Sequence, residues 1–79
     1  MNYGQTQAVM VLVGERMGFE MPSAELSKKV LAGGTIHQMH HAAIEREAVD
    51  LNNRLRVQPD LIAQANNLSS AVISEFGLN

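Results

Sequence analysis

The chain has 79 residues, no cysteine and a formal charge of −2, from six basic and eight acidic side chains. This length makes one domain with a thin apolar core, and the lack of cysteine excludes disulfides and thiolate metal sites. A protein that follows phosphates normally carries a basic excess, so the acidic balance argues against nucleic acid as the main partner. Domains this small usually gain stability from a metal, from close helix packing or from self-association.

The first segment is dominated by six consecutive apolar residues, Ala8 to Val13. The run is too short to cross a membrane, and no basic residue precedes it as in a signal peptide, so we expect a cytoplasmic protein without membrane contact. The run is compatible with a buried strand or with a helix that is apolar on several sides. Because no other segment has strand character, we predict a helix from about Gln5 to Met17, ended by Gly18.

Two further helices are predicted in the middle of the chain. The second begins at Ser23 and directs Leu26, Val30 and Leu31 inward. Thr35 and Gln38 have the spacing of a capping box at the start of the third helix. That helix runs to about Val57, with an apolar stripe made of Ile36, His40, Ile44, Ala48, Leu51 and Leu55.

The last segment has the clearest helical pattern. Pro59 and Asp60 are favourable in a first helical turn, and Gly77 is a helix stop. The inward positions are Leu61, Ile62, Ala65, Leu68, Val72, Ile73 and Phe76, while the opposite face is polar but uncharged. We therefore predict an all-α domain of three to four helices over residues 1–79, with the last two helices forming an antiparallel hairpin.

A group of histidines at the start of the third helix is the first candidate for chemistry. His37, His41 and Glu45 lie four residues apart, so on a helix they form a row of possible metal ligands. No motif such as HExxH accompanies them. His37 and His40 also fall within the apolar stripe, where a packed neutral histidine is the simpler explanation. We therefore predict no bound zinc and no other cofactor.

The glycine pair before the third helix is a candidate anion site. Gly33, Gly34 and Thr35 lie where free backbone N–H groups at a helix start can hold a phosphate or nucleotide. Lys28 and Lys29 are close in the sequence. A helix stop followed by a helix cap explains the same residues, and neither a Walker motif nor GxGxxG is present. Binding of an anionic ligand by an oligomer is therefore kept as an alternative.

The stretch from Ser23 to Glu45 resembles a helix-turn-helix, a second alternative. Thr35, Gln38 and His41 are then the residues that reach DNA. The turn is about one residue shorter than the usual pattern, and acidic residues occupy the recognition helix. DNA binding is therefore the alternative and not the main prediction.

No serine, threonine or lysine lies in a recognisable catalytic motif. A domain of this size also has little room for an enclosed substrate pocket. We therefore predict a protein that is not an enzyme, and expect a non-enzymatic interaction module, a regulatory, inhibitory or adaptor protein that binds a protein partner of unknown identity. Small acidic proteins of mobile genetic elements offer an analogy.

Self-association is predicted through the first helix, which has apolar residues on two sides. A small monomer is expected to cover only one of them, and the other forms an exposed apolar patch. We assign the homo-oligomer interface to Met10, Val13 and Met17, because thioether side chains adapt to a second surface.

Overall fold

The computed structural model describes residues 1–79, which form four α-helices and no strand. The helices are α1 (Tyr3–Arg16), α2 (Ala24–Leu31), α3 (Gln38–Val57) and α4 (Ile62–Glu75), and a 3-10 turn, Pro59–Leu61, joins α3 to α4. The predicted all-α class is therefore confirmed. None of the four helices combines the length and the apolar character needed to cross a bilayer.

The central element of the fold is α1, on which α2, α3 and α4 all pack. This position explains the apolar run in the first segment, because a helix that is apolar on most sides is stable only when it is covered on most sides. The short 3-10 turn between α3 and α4 is compatible with the predicted C-terminal hairpin, but each of these helices packs mainly on α1 and has little contact with the other. The buried residues of α1 are Ala8, Val9, Val11, Leu12, Val13 and Gly14.

The expected exposed apolar side of α1 does not exist. Val13 is only 3% exposed, and Met10 and Met17 are partly buried against the same core. The prediction of an uncovered side was wrong because three helices surround α1, instead of one layer of neighbours. The reason for placing a dimer interface on these three residues is therefore removed, and self-association itself stays a prediction.

Glycines end α1 and α4 where the sequence predicted. Gly18 has a φ of 91° and Gly77 a φ of 64°, a left-handed conformation that costs glycine little because it has no Cβ. After α1, the N–H of Phe19 donates to the carbonyl of Gly14 at 3.0 Å. After α4, the N–H of Leu78 donates to the carbonyl of Ile73 at 3.0 Å. Each of these bonds satisfies a carbonyl that has no partner within its helix.

The start of α3 differs from the prediction. The helix begins at Gln38, and His37 is its N-cap, with Nδ1 accepting the N–H of Met39 at 3.0 Å. Thr35 lies outside the helix, so the predicted capping box does not form. A capping box does form on α1, where Asn2 and Gln5 each accept the other's backbone N–H.

Most of the predicted inward positions are confirmed, but Ile62, predicted to face inward, is 43% exposed. The third helix buries Ile44, Ala48 and Leu51, and the fourth buries Ala65 and Val72. His40 was predicted within the stripe of α3, but it lies in the first turn of that helix and is exposed. The inward residues of α2 also behave as expected, with Leu31 buried and Leu26 and Val30 partly buried.

A carboxylate from α3 holds the start of α2. The backbone N–H of Ser23 donates to both oxygens of Glu47, at 2.9 and 3.1 Å, and its hydroxyl donates at 2.5 Å. The carboxylate therefore satisfies a donor at the positive end of the α2 dipole. Because Ser23 is itself buried, no water can take over this role without rearrangement.

Replacing Glu47 by alanine should therefore destabilise the fold. A buried donor left without a partner costs about 1–3 kcal/mol, so we expect a loss of roughly 2 kcal/mol in the free energy of unfolding. Urea unfolding followed by circular dichroism measures it. Asp50→Ala is the matched control, since Asp50 is exposed on the same helix. Equal midpoints for the two variants would show that the Glu47 contact is not stabilising.

An ion pair joins the C-terminal ends of α1 and α4. The guanidinium of Arg16 donates to both oxygens of Glu75, at 2.5 and 2.9 Å. These hydrogen bonds lower the pKa of the Glu75 carboxyl and raise the pKa of Arg16. The stability that the pair adds is therefore present above the ordinary pKa of a glutamate and is lost as the pH falls through the lowered value. Both groups are exposed to solvent, so the contribution is small.

Candidate functional site

The largest groove of the molecule lies between the N-terminal turns of α1 and α3. Its volume is about 410 Å³, and it is open to solvent. Both walls are helical, so the side chains that face it are positioned by regular backbone. The lining residues are Tyr3, Gly4, Gln7, Gln38, His41, Ala42, Ile44 and Glu45.

Tyr3 lies at the edge of this groove, which we call the α1/α3 groove. Its ring belongs to α1, and its hydroxyl donates a hydrogen bond to the carboxylate of Glu45 on α3. The hydrogen bond to Glu45 also raises the pKa of the Tyr3 phenol. Tyr3 is nevertheless 67% exposed. The hydroxyl of Tyr3 is thus bonded to α3, while most of the surface of its ring is exposed to solvent.

The remaining residues give the α1/α3 groove an apolar base and a polar rim. Ile44 is only 2% exposed and forms part of the base. The amides of Gln7 and Gln38 and the imidazole of His41 supply hydrogen-bond donors and acceptors around it. No lysine or arginine lines the groove. An apolar base with a hydrogen-bonding rim whose one carboxylate is that of Glu45 suits a peptide segment better than a phosphate.

No known protein family, curated protein or solved structure matches this chain. Its function must therefore be inferred from its own residues. Among these, the exposed ring of Tyr3 is distinguished by its position, because its hydroxyl is bonded to Glu45 at the edge of the α1/α3 groove and the ring is not part of the core.

The proposed row of metal ligands is not formed. His37 is outside α3, and its Nδ1 accepts the backbone N–H of Met39. Glu45 is turned to the hydroxyl of Tyr3. No three histidine or carboxylate side chains of the chain gather closely enough to hold a metal ion. His41 faces the α1/α3 groove, and zinc binding has not been tested, so the absence of zinc stays a prediction.

The backbone donors of the glycine pair are used within the fold. The N–H of Gly33 donates to Val30 at 3.1 Å, and that of Gly34 donates to Lys29 at 2.8 Å, which ends α2. The ammonium of Lys28 lies 3.0 Å from the carboxylate of Glu25, and this hydrogen bond raises the pKa of Lys28. These residues therefore form a helix stop, and the structure does not turn their N–H groups towards an anion.

The residues assigned to DNA reading do not share one outward helical face. Gln38 and His41 line the α1/α3 groove beside α1. Thr35 is exposed, but it lies in the segment before α3. A recognition helix must present its reading residues away from its own domain, so this arrangement does not favour the helix-turn-helix alternative.

Sequence reasoning found part of the α1/α3 groove and missed the rest. Gln38, His41 and Glu45 were candidates, although for other roles. Tyr3 and Gln7 were not candidates, because their contacts with α3 join residues far apart in the chain. Tyr3 and Glu45, for example, are 42 positions apart. The one available signal was their spacing of four residues, which places Tyr3 and Gln7 on the same face of a helix.

Proposed function

We propose that this protein is a small non-enzymatic interaction module that binds a partner protein through the α1/α3 groove. The observation that supports this most is the fixed, exposed ring of Tyr3. Tyrosine is among the residues that contribute most to binding at protein interfaces. A ring already held by Glu45 loses less conformational entropy on binding than a free side chain does.

The shape and charge of the groove support the same proposal. The groove is open along its length and has no enclosed chamber from which water is excluded, as catalysis usually needs. Its only formal charge, with neutral histidine, is the carboxylate of Glu45. A peptide segment with an apolar side chain for the base and polar groups for Gln7, Gln38 and His41 is the class of ligand that fits. Regulation, inhibition and adaptor function all need no more than such binding.

Photo-crosslinking can identify the partner. Replacing Gln38 by a photoreactive amino acid places the crosslinker on the rim of the α1/α3 groove and keeps Tyr3 unchanged. The same amino acid at Val57, which is 76% exposed and does not line the groove, is the control position. We expect a defined protein from the native host to be captured from position 38 and not from position 57.

The affinity of the purified partner then tests the role of Tyr3. We expect Tyr3→Ala to weaken binding by about 30-fold, the effect of losing a contact of roughly 2 kcal/mol at an interface. The fold should be unchanged because the ring is mostly exposed, and circular dichroism checks this. Tyr3→Phe keeps the ring and loses the bond to Glu45, so its loss should be smaller.

Val49→Ala is the matched control, because Val49 is exposed on the outer surface of α3. Equal affinities of wild type and Tyr3→Ala for the partner would show that the partner does not bind through the α1/α3 groove. Retention on heparin that falls steeply with salt would instead favour the DNA-binding alternative.

A further inference from the structure

The first turn of α3 contains an unusual cap. His37 is the N-cap residue, and its Nδ1 accepts the backbone N–H of Met39 at 3.0 Å. This role is normally taken by serine, threonine, aspartate or asparagine, whose acceptor oxygens are not lost near neutral pH. An imidazole nitrogen accepts a hydrogen bond only while it is unprotonated. The hydrogen bond that starts α3 therefore requires the neutral form of His37, with its proton on Nε2.

Protonation of this histidine opposes the helix in two ways. The proton on Nδ1 replaces the lone pair that accepts the N–H of Met39. The charge also lies at the positive end of the helix dipole, where a cation is unfavourable. No acidic residue is present in the first turn of α3 to offset it.

The neighbouring ionisable groups do not cancel this effect. His40 contacts His37 edge to face, with ring centroids 6.2 Å apart, and His41 follows, so acid places further positive charge on the same turn. The carboxylate of Glu45, one turn along α3, is bonded to Tyr3 of α1, and the amino terminus of the chain lies just before Tyr3. The nearby cation from α2 is Lys29, whose aliphatic part lies against Gly34, and its positive charge does not offset that of a protonated His37.

We propose that His37 is an acid-sensitive cap, and that protonation of its imidazole loosens the first turn of α3. The cap adds its full stability while the ring is neutral and loses it when the ring gains a proton, because only the neutral ring makes the hydrogen bond. Gln38 and His41 belong to this turn and line the α1/α3 groove. Acid therefore loosens one wall of the groove. The proposal depends on the His37 bond and not on the identity of any partner.

Solution NMR tests the proposal directly. The imidazole nitrogen shifts of His37 should show the Nε2–H form near pH 7.5. The Cα shifts of Gln38 to His41 should then move towards coil values as the pH falls, with the midpoint of the His37 ring titration. We expect the helix–coil equilibrium constant of this turn to fall by about fivefold, the effect of losing one N-cap bond. The Cα shifts of α4 should stay constant over the same range.

His37→Asn is the decisive variant, because asparagine caps well and binds no proton. Its first turn should keep helical Cα shifts at pH 5. The His40→Gln, His41→Gln double variant keeps the cap and should still loosen with acid. A His37→Asn protein that loosens as much as wild type would overturn the proposal, as would a His37 ring that titrates without any change in the Cα shifts of the turn. His37→Ser serves the same comparison if the asparagine variant folds poorly.

Discussion

Replacing Leu12 by alanine is expected to lower the free energy of unfolding by about 3–5 kcal/mol. Leu12 is 1% exposed at the centre of α1 and is among the largest fully buried side chains. Because three helices pack on α1, their backbones cannot all move inward to fill the space. A cavity that does not collapse gives the upper part of this range.

The loss is large relative to the whole. A domain of 79 residues has a stability of about 4–12 kcal/mol, at roughly 0.05–0.15 kcal/mol per residue. Leu12→Ala should therefore unfold at a much lower urea concentration than wild type. If the stability of wild type is near about 4 kcal/mol, the variant will be partly unfolded even without urea. Ile62→Ala is the control, because Ile62 is 43% exposed and should change the midpoint little. A loss below about 1 kcal/mol for Leu12→Ala would show that α1 is not the centre of the fold.

The helices themselves could be predicted from sequence because their signals are local. The stops at Gly18 and Gly77 act within single helices, and so does the apolar spacing of Ile44 and Leu51 on α3 and of Ala65 and Val72 on α4. All of these features appear in the structure. The position of α1 was predicted less well. Its run of apolar residues showed that more than one side is covered, but not whether its own chain or a second copy covers it.

The contacts between helices could not be predicted, because they depend on residues far apart in the chain. Glu47 reaches the N–H of Ser23 across 24 positions, and Arg16 reaches Glu75 across 59. The cap of α3 is a different case. Thr35 and His37 both precede the helix, and the capping pattern alone did not show that His37 is the cap.

The same distinction limits what sequence says about the functional site. Gln38, His41 and Glu45 were recognisable as polar residues at the start of a helix, and each suggested a metal or DNA. The packing of α1 against α3 changes their role. The hydroxyl of Tyr3 donates a hydrogen bond to the carboxylate of Glu45, and Gln38 and His41 form part of the rim of the α1/α3 groove. The chemistry of the residues was visible in the sequence, but the surface they form was not.

The Met10→Lys, Met17→Lys double variant is expected to be strongly destabilised. Both methionines pack against the core formed by α1 and its three neighbours, so each substitution places an ammonium where an apolar side chain was partly buried. The lysine stems can carry the charges towards solvent, but the packing of two thioether side chains is lost. We expect a combined cost of about 3–5 kcal/mol, comparable to that of Leu12→Ala.

This variant also separates packing within one chain from packing between two copies. If Met10 and Met17 belong to the core of one chain, the variant unfolds at a much lower urea concentration than wild type, whatever the mass of wild type by light scattering. If they formed a dimer interface, wild type would be a dimer and the variant a folded monomer with an unchanged helical spectrum. Val57→Lys is the control, since Val57 is 76% exposed and should keep both the fold and the mass. The structure favours the first outcome, because Val13, on the same side of α1 as both methionines, is almost completely covered by its own chain.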